Sequence, residues 1–185
     1  MVSYEEKSTR EKEFPGMIIL GIDPAIRTTG YGVIRADNPA SFTILDCGVI
    51  ANSARLPHTE CLRRLAGGIR ELVETFHPDC ASIEEPFLGK NASTAIILGM
   101  ARGAILTALA EKQIPVYAYS PRSAKRSAVG NGGATKEQVA RIMAVELGIE
   151  IEEIPLDSTD AIALAVCHAQ LALRPALAEK MGKPL

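Results

Sequence analysis

Residues 16–37 read GMIILGIDPAIRTTGYGVIRAD, and the interpretation of this stretch decides the fold. An apolar run rich in β-branched residues ends on Asp23, Pro24 breaks it, and a second run, GYGVIRA, begins at Gly30. Runs of this length bounded by Pro, Gly and Asp suit strands rather than helices. A third run, SFTILDCGVI over 41–50, follows another turn signal, so the chain opens as a three-stranded meander. The first strand thereby leaves a carboxylate at its mouth. Asp23 before Pro24 either starts a turn or is kept there for its chemistry.

Outward from the meander, helical spacing takes over. In PHTECLRRLAGGIRELVETF, residues 57–76, Leu62, Leu65, Ile69, Leu72 and Val73 share one face and arginines the other, which predicts an amphipathic helix weakened at Gly67 and Gly68. DCASIEEP is strand-like and ends in acids, and Asn91 is expected to cap a long helix over 92–112. IPVYAYSP reads as a fifth strand, RSAKRSAV as a short basic helix and GNGGA as a loop. Thr135 with Gln138 makes a capping box that opens the next helix. An acidic loop then leads to a last helix over 160–173, which Pro175 is expected to stop, leaving a frayed tail. His58 and His77 fall at helix ends, and His168 is expected in the core although its spacing from Asp160 would also let it approach a site.

This order predicts an α/β fold in which a meander feeds right-handed crossovers. Residues 16–174 are expected to form a single domain between a flexible extension, 1–15, and a C-terminal tail, 175–185. The 185-residue length suits one domain with a sizeable core. The 47% hydrophobic and 23% charged composition argues against global disorder. The helix over 92–112 is apolar on nearly all sides, so one side covers the sheet while the other needs burial by a partner subunit or by a second helix of the same chain.

Arg102 interrupts the most apolar stretch, so no membrane span is expected. The mixed-charge N-terminus lacks the pattern of a signal peptide. Cys47, Cys61, Cys80 and Cys167 lie too far apart for a C-x-x-C pair, which fits small core residues in a reducing cytoplasm. The net charge of −2 is unevenly spread. Basic residues outnumber acids from Glu84 to Arg141, whereas Ala144 to Leu173 holds acids and no Lys or Arg. That asymmetry suits a basic contact surface beside an acidic centre, or else solvated helix faces.

Four acids stand where an apolar element begins or ends. Asp23 follows MIILGI, Glu84 follows CASI, and Asp157 and Asp160 open the last helix. Sites form at strand ends in open α/β sheets. Converging hard oxygens suit Mg²⁺ or Mn²⁺, and two such ions about 3.5–4 Å apart can clamp the attacking and leaving oxygens of a phosphodiester. Of Glu84 and Glu85, only the one that continues the inward alternation can reach such a site. Taken alone, DSTD also suits a helix start with Asp157 as N-cap and Asp160 at N3.

ILGIDPAIRTTGYGVI, IEEPFLGKNASTAIILGMARG, YSPRSAKRSAVGNGGATKEQV and LDSTDAIALAVCHAQ resemble, in order and spacing, the signature segments of the RuvC family of bacterial Holliday junction resolvases. The resemblance covers residues 17–173. It implies an RNase H-like fold with a mixed five-stranded sheet flanked by helices, a homodimer, and Mg²⁺-dependent nicking of four-way DNA junctions. Two ions per site are implied, with Mn²⁺ as a substitute. Residue by residue, the family's catalytic, metal-holding acids fall on Asp23, Glu84, Asp157 and Asp160.

Phe87 matches an aromatic used against junction bases, and Lys125 and Lys136 match basic positions near the scissile phosphate. Arg122 and Arg126 are further phosphate-contact candidates. The resemblance also implies coupling to the RuvA–RuvB branch-migration complex. The family usually has Gly after Asp-Pro where this chain has Ala25, a residue that discourages positive φ. Other readings are a relative of the same fold acting on RNA or other branched DNA, and a non-catalytic junction-binding protein. GNGGATK lacks the spacing of a nucleotide-binding loop.

Overall fold

The structure is a computed structural model that describes residues 16–86, 92–147, 154–179 and 181–185. Residues 1–15, Phe87 and Asn91 lie outside the described residues. The meander forms as β1 (Met17–Asp23), β2 (Thr28–Asn38) and β3 (Ser41–Ala51), all antiparallel. Helix α1 (His58–Phe76) leads to β4 (Cys80–Glu84), and α2 (Ala92–Glu111) leads to β5 (Val116–Tyr119). β4 pairs parallel with β1, and β5 parallel with β4. The sheet order is β3-β2-β1-β4-β5, the mixed five-stranded sheet expected. Helices α3 (Pro121–Val129), α4 (Lys136–Leu147), α5 (Thr159–Ala172) and the short α6 (Pro175–Ala178) complete the chain.

β1 is central and covered on both faces, which explains its nearly unbroken apolar sequence. Its side chains alternate between two cores. Ile19 belongs to the core built with α3, α4 and α5, whereas Leu20 and Ile22 belong to the one built with α1 and α2. β4 keeps the same phase, with Cys80 on the first side and Ala81 and Ile83 on the second. Tyr119 Oη lies 2.7 Å from Nδ1 of the buried His168, so that histidine is a core residue. Burial pushes it down to about 4 and keeps it neutral near pH 7. All four cysteines are free, and Cys61, Cys80 and Cys167 are buried.

Two glycines set how closely α5 approaches the sheet. A Cβ on Gly21 would stand 1.9 Å from the Ala161 carbonyl oxygen, and one on Gly30 would stand 1.8 Å from that of Asp157. Neither contact is possible for a real side chain, so glycine is what lets the backbone carrying the last two acids rest on β1 and β2.

By length and composition α2 could cross a membrane. In this fold Ala101, Ile105, Ala108 and Leu109 instead bury one face in the domain core, while Ile96 stays 64% exposed and Met100 37% exposed. Three local expectations change. Asp157 is not an N-cap, because it lies in a 3₁₀ turn (Leu156–Ser158) that runs into α5, and Ser158 takes the cap position without a side-chain hydrogen bond. Asp160 is accordingly the second residue of α5 and not the third. Pro175 ends α5 but opens α6, since a proline is well placed in a first helical turn. The Leu185 N–H donates to the Val116 carbonyl at 2.9 Å, so the end of the tail lies against the edge of β5.

Candidate active site

Asp23 and Glu84 are the last residues of two paired parallel strands, in which Ile22 stands opposite Ile83. Strand alternation sends both carboxylates to the face covered by α5 and leaves Glu85 exposed. From the other side, the 3₁₀ turn and the first turn of α5 bring Asp157 and Asp160. Two lysines complete the group, Lys125 from α3 and Lys136 from the first position of α4. The predicted capping box holds α4 in place: Gln138 N donates to Thr135 Oγ1 at 3.3 Å, and Thr135 N donates to Gln138 Oε1 at 2.9 Å.

The distances show one ammonium shared among three acids. Lys136 Nζ stands 3.3 Å from Asp157 Oδ1, 3.5 Å from Asp160 Oδ2 and 3.9 Å from Asp23 Oδ2. Lys125 Nζ stands 3.5 Å from Asp160 Oδ1, a buried oxygen that accepts no hydrogen bond. Burial, then repulsion from Asp160, pushes Asp23 up to about 6, against the pull of Lys136 and a hydrogen bond with Glu84. Burial, then Asp23 and Asp160, pushes Glu84 up to about 7. Burial lowers Lys136, but Asp160, Asp23 and Asp157 outweigh it and the net shift is upward. Four carboxyls facing two ammoniums leave the site short of positive charge.

That shortage, the all-oxygen donor set and the orphaned Asp160 Oδ1 fit a hard divalent cation. Among the described residues no three potential ligands already surround a single ion position. The Lys136 ammonium lies between the carboxylates that would have to close on one. A concavity of about 650 Å³ between β3 and α1 shares no residue with this cluster. An open strand-end site needs no deep pocket if its substrate is a polymer.

The loop after Asp23 is fixed by residues that sequence reasoning passed over. Arg27 Nη1 donates to the Ser53 and Leu56 carbonyls at 2.7 and 3.1 Å, tying the loop to the start of α1. The buried Thr29 accepts from Ala25 N at 3.1 Å and donates to Ala25 O at 2.5 Å. Ala25 has no positive φ, so alanine fits where the family usually has glycine. Arg102 was also missed as a site residue. From within apolar α2 it donates from Nη1 to the carbonyl of Glu84, and its signal was the lone guanidinium in that helix. Arg122 and Arg126 are exposed on α3 and contribute nothing to the acid cluster itself.

A sheet of this order with acids at the ends of its two central parallel strands and at the start of the closing helix defines a nuclease of the RNase H-like fold. The family model described as crossover junction endodeoxyribonuclease RuvC matches residues 19–168. The chain belongs to the RuvC family. It is 41% identical to crossover junction endodeoxyribonuclease RuvC of Chloroflexus aurantiacus over 156 residues, which is 84% of this chain and 94% of that protein. The same enzyme of Roseiflexus is 40% identical over 153 residues, 83% of this chain and 90% of that one. Thermus thermophilus RuvC, solved in complex with a Holliday junction substrate, superposes with a TM-score of 0.80 at 33% identity, covering 91% of this chain and 99% of that one. The yeast mitochondrial Holliday junction resolvase Ydc2, at 15% identity and a TM-score of 0.61 over 86% of this chain and 80% of its own, shares the fold.

Proposed function

We propose that this chain resolves four-way DNA junctions by paired symmetric nicks, hydrolysing one phosphodiester at each site with Asp23, Glu84, Asp157 and Asp160. What carries the reading is the gathering of these four acids with Lys125 and Lys136 at one open end of the sheet. Two divalent cations held by the four carboxylates, Mg²⁺ physiologically and Mn²⁺ as a substitute, would supply water activation and neutralisation of the phosphate oxygens.

The chain's own residues do the rest. The carboxylates must be ionised to hold cations, so Asp23 and Glu84 set the pH at which the site becomes competent. Lys125 and Lys136 pair with phosphate oxygens on either side of the scissile bond, and Arg122 and Arg126 extend the basic track along α3. Water adds to phosphorus, the bond to the 3′ oxygen breaks, and the products are a 5′-phosphate and a 3′-hydroxyl. Phe87, outside the described residues, stacks on an unpaired junction base.

The exposed side of α2, carrying Ile96 and Met100, is the face for a second copy, and a two-fold dimer matches a two-fold junction. Residues 16–174 form the nuclease unit, flanked by 1–15 and 175–185. The protein works in the cytoplasm with the RuvA–RuvB branch-migration complex, in recombination and DNA repair.

Incubation with a labelled four-way junction, a plain duplex and an RNA–DNA hybrid, with and without Mg²⁺, tests the reading. Paired nicks in the junction alone, dependent on metal, are expected. Binding without nicking, or equal cutting of the duplex, overturns it.

A further inference from the structure

We infer that Lys136 is the resident counter-ion of the metal-free site, so that its ammonium and a divalent cation compete for the same carboxylate oxygens. The inference deepens the nuclease reading and rests on it for the nature of the cation. Its three contacts of 3.3, 3.5 and 3.9 Å are all longer than a committed charge-assisted hydrogen bond, which runs to about 2.7–2.9 Å. The ammonium donates one long hydrogen bond, to Asp157 Oδ1 at 3.3 Å, and is otherwise held by the summed field of Asp157, Asp160 and Asp23. That is the position a cation takes among its ligands.

A divalent ion draws carboxylate oxygens to about 2.0–2.1 Å if it is Mg²⁺. An ammonium a few ångströms from that ion would meet strong repulsion in a half-buried site. The two cannot share the cluster unless the ammonium leaves the carboxylate oxygens it faces. Lys136 is built to move aside. Its backbone is fixed by the Thr135–Gln138 capping box, while its charge rides on a flexible four-carbon stem. Lys125 differs, because it reaches only Asp160 in this way and leaves Asp23 and Asp157 free.

Two consequences follow. Metal binding to the DNA-free protein is weakened by the need to evict Lys136. A phosphate beside the site gives the evicted ammonium a new partner, so junction DNA and metal strengthen each other's binding by one and the same factor.

The experiment is calorimetric titration of Mn²⁺ into the full chain at pH 8, without DNA and then with a junction carrying non-hydrolysable linkages. For wild type, Mn²⁺ affinity is expected to rise about tenfold with the junction present. Lys136→Met and Lys136→Gln are expected to bind Mn²⁺ about tenfold more tightly than wild type without DNA, and to lose most of the junction-dependent gain. Unchanged or weaker Mn²⁺ binding in both Lys136 variants overturns the inference. So does a wild-type affinity indifferent to the junction, a result that needs no variant to fold. Failure of the nuclease reading appears separately, as absence of junction nicking by wild type with Mg²⁺.

Discussion

Arg102, in the middle of α2, donates from Nη1 to the main-chain carbonyl of Glu84, the last residue of β4. The bond ties the helix with the open apolar face to the strand end that presents one of the four clustered acids. Removing the guanidinium leaves a half-buried carbonyl without that donor and frees the end of β4 to shift. Displacement of a reacting group by about 1 Å can cost on the order of 100-fold in rate. Arg102→Met is expected to lower single-turnover junction cleavage by at least tenfold while junction affinity stays within about twofold. Arg102→Lys should restore part of the rate. A variant that loses affinity, rate and thermal stability together would show that Arg102 serves folding alone.

The raised carboxyls give the metal-free protein a defined pH response. Asp23 titrates at about 6 in the fold against 3.8 for the free group, so the folded state binds the extra proton between these values. Its contribution to stability is therefore neutral below pH 4, becomes a penalty that grows between pH 4 and 6, and keeps its full size above that. A shift of this size corresponds to an energy of about 3 kcal/mol. Asp23→Asn should raise the metal-free melting temperature by several degrees at pH 8 and leave it unchanged near pH 4. The same variant should bind junctions and fail to cut them. In the wild type, cleavage should climb between pH 6 and 8 as Asp23 and then Glu84, at about 7, lose their protons.

Gly30 is predicted to tolerate no side chain. The added methyl of Gly30→Ala would lie 1.8 Å from the Asp157 carbonyl oxygen, and backbone rather than a flexible side chain would have to give way. A loss of about 3 kcal/mol or more in chemical denaturation is expected. Any folded fraction should cleave poorly, since Asp157 and Asp160 would be lifted from Asp23. Near-wild-type stability and cleavage would mean that the start of α5 is free to settle elsewhere.

The exposed face of α2 should carry self-association. Ile96→Glu places a charge on a side chain that is 64% exposed, so the fold of the isolated chain should be unaffected. Sedimentation equilibrium should show a dimer for wild type and a monomer for the variant, with single nicks replacing paired ones. A variant that remains dimeric would place the interface on another face.

Much of the fold is legible in residues 16–37, because a strand that is apolar on both faces and halted by Asp-Pro can only be central. The five strands and the five longer helices follow from periodicity and turn signals, and the Thr135–Gln138 capping box from four consecutive residues. The end of the chain was less readable. Asp157 fits an N-cap by local preference, yet the close seat of the helix on Gly30 puts it in a 3₁₀ turn aimed at the site. Tertiary contact overrode a cap worth only about 1 kcal/mol.

The sequence by itself determined the sheet, the four acids and the family, because strand phase, turn chemistry and ordered motifs are local properties of the chain. Only the tertiary structure decided what those acids face. Lys136 is 113 residues from Asp23 and 21 from Asp157 along the chain, and although its motif marks it as a basic position near the scissile phosphate, nothing local says which carboxylates it faces. Its position among three carboxylates arises because glycine lets α5 sit down on the sheet while the capping box aims the start of α4 across it. Local sequence sets the direction of each element, whereas distances between charges exist only once those elements have packed.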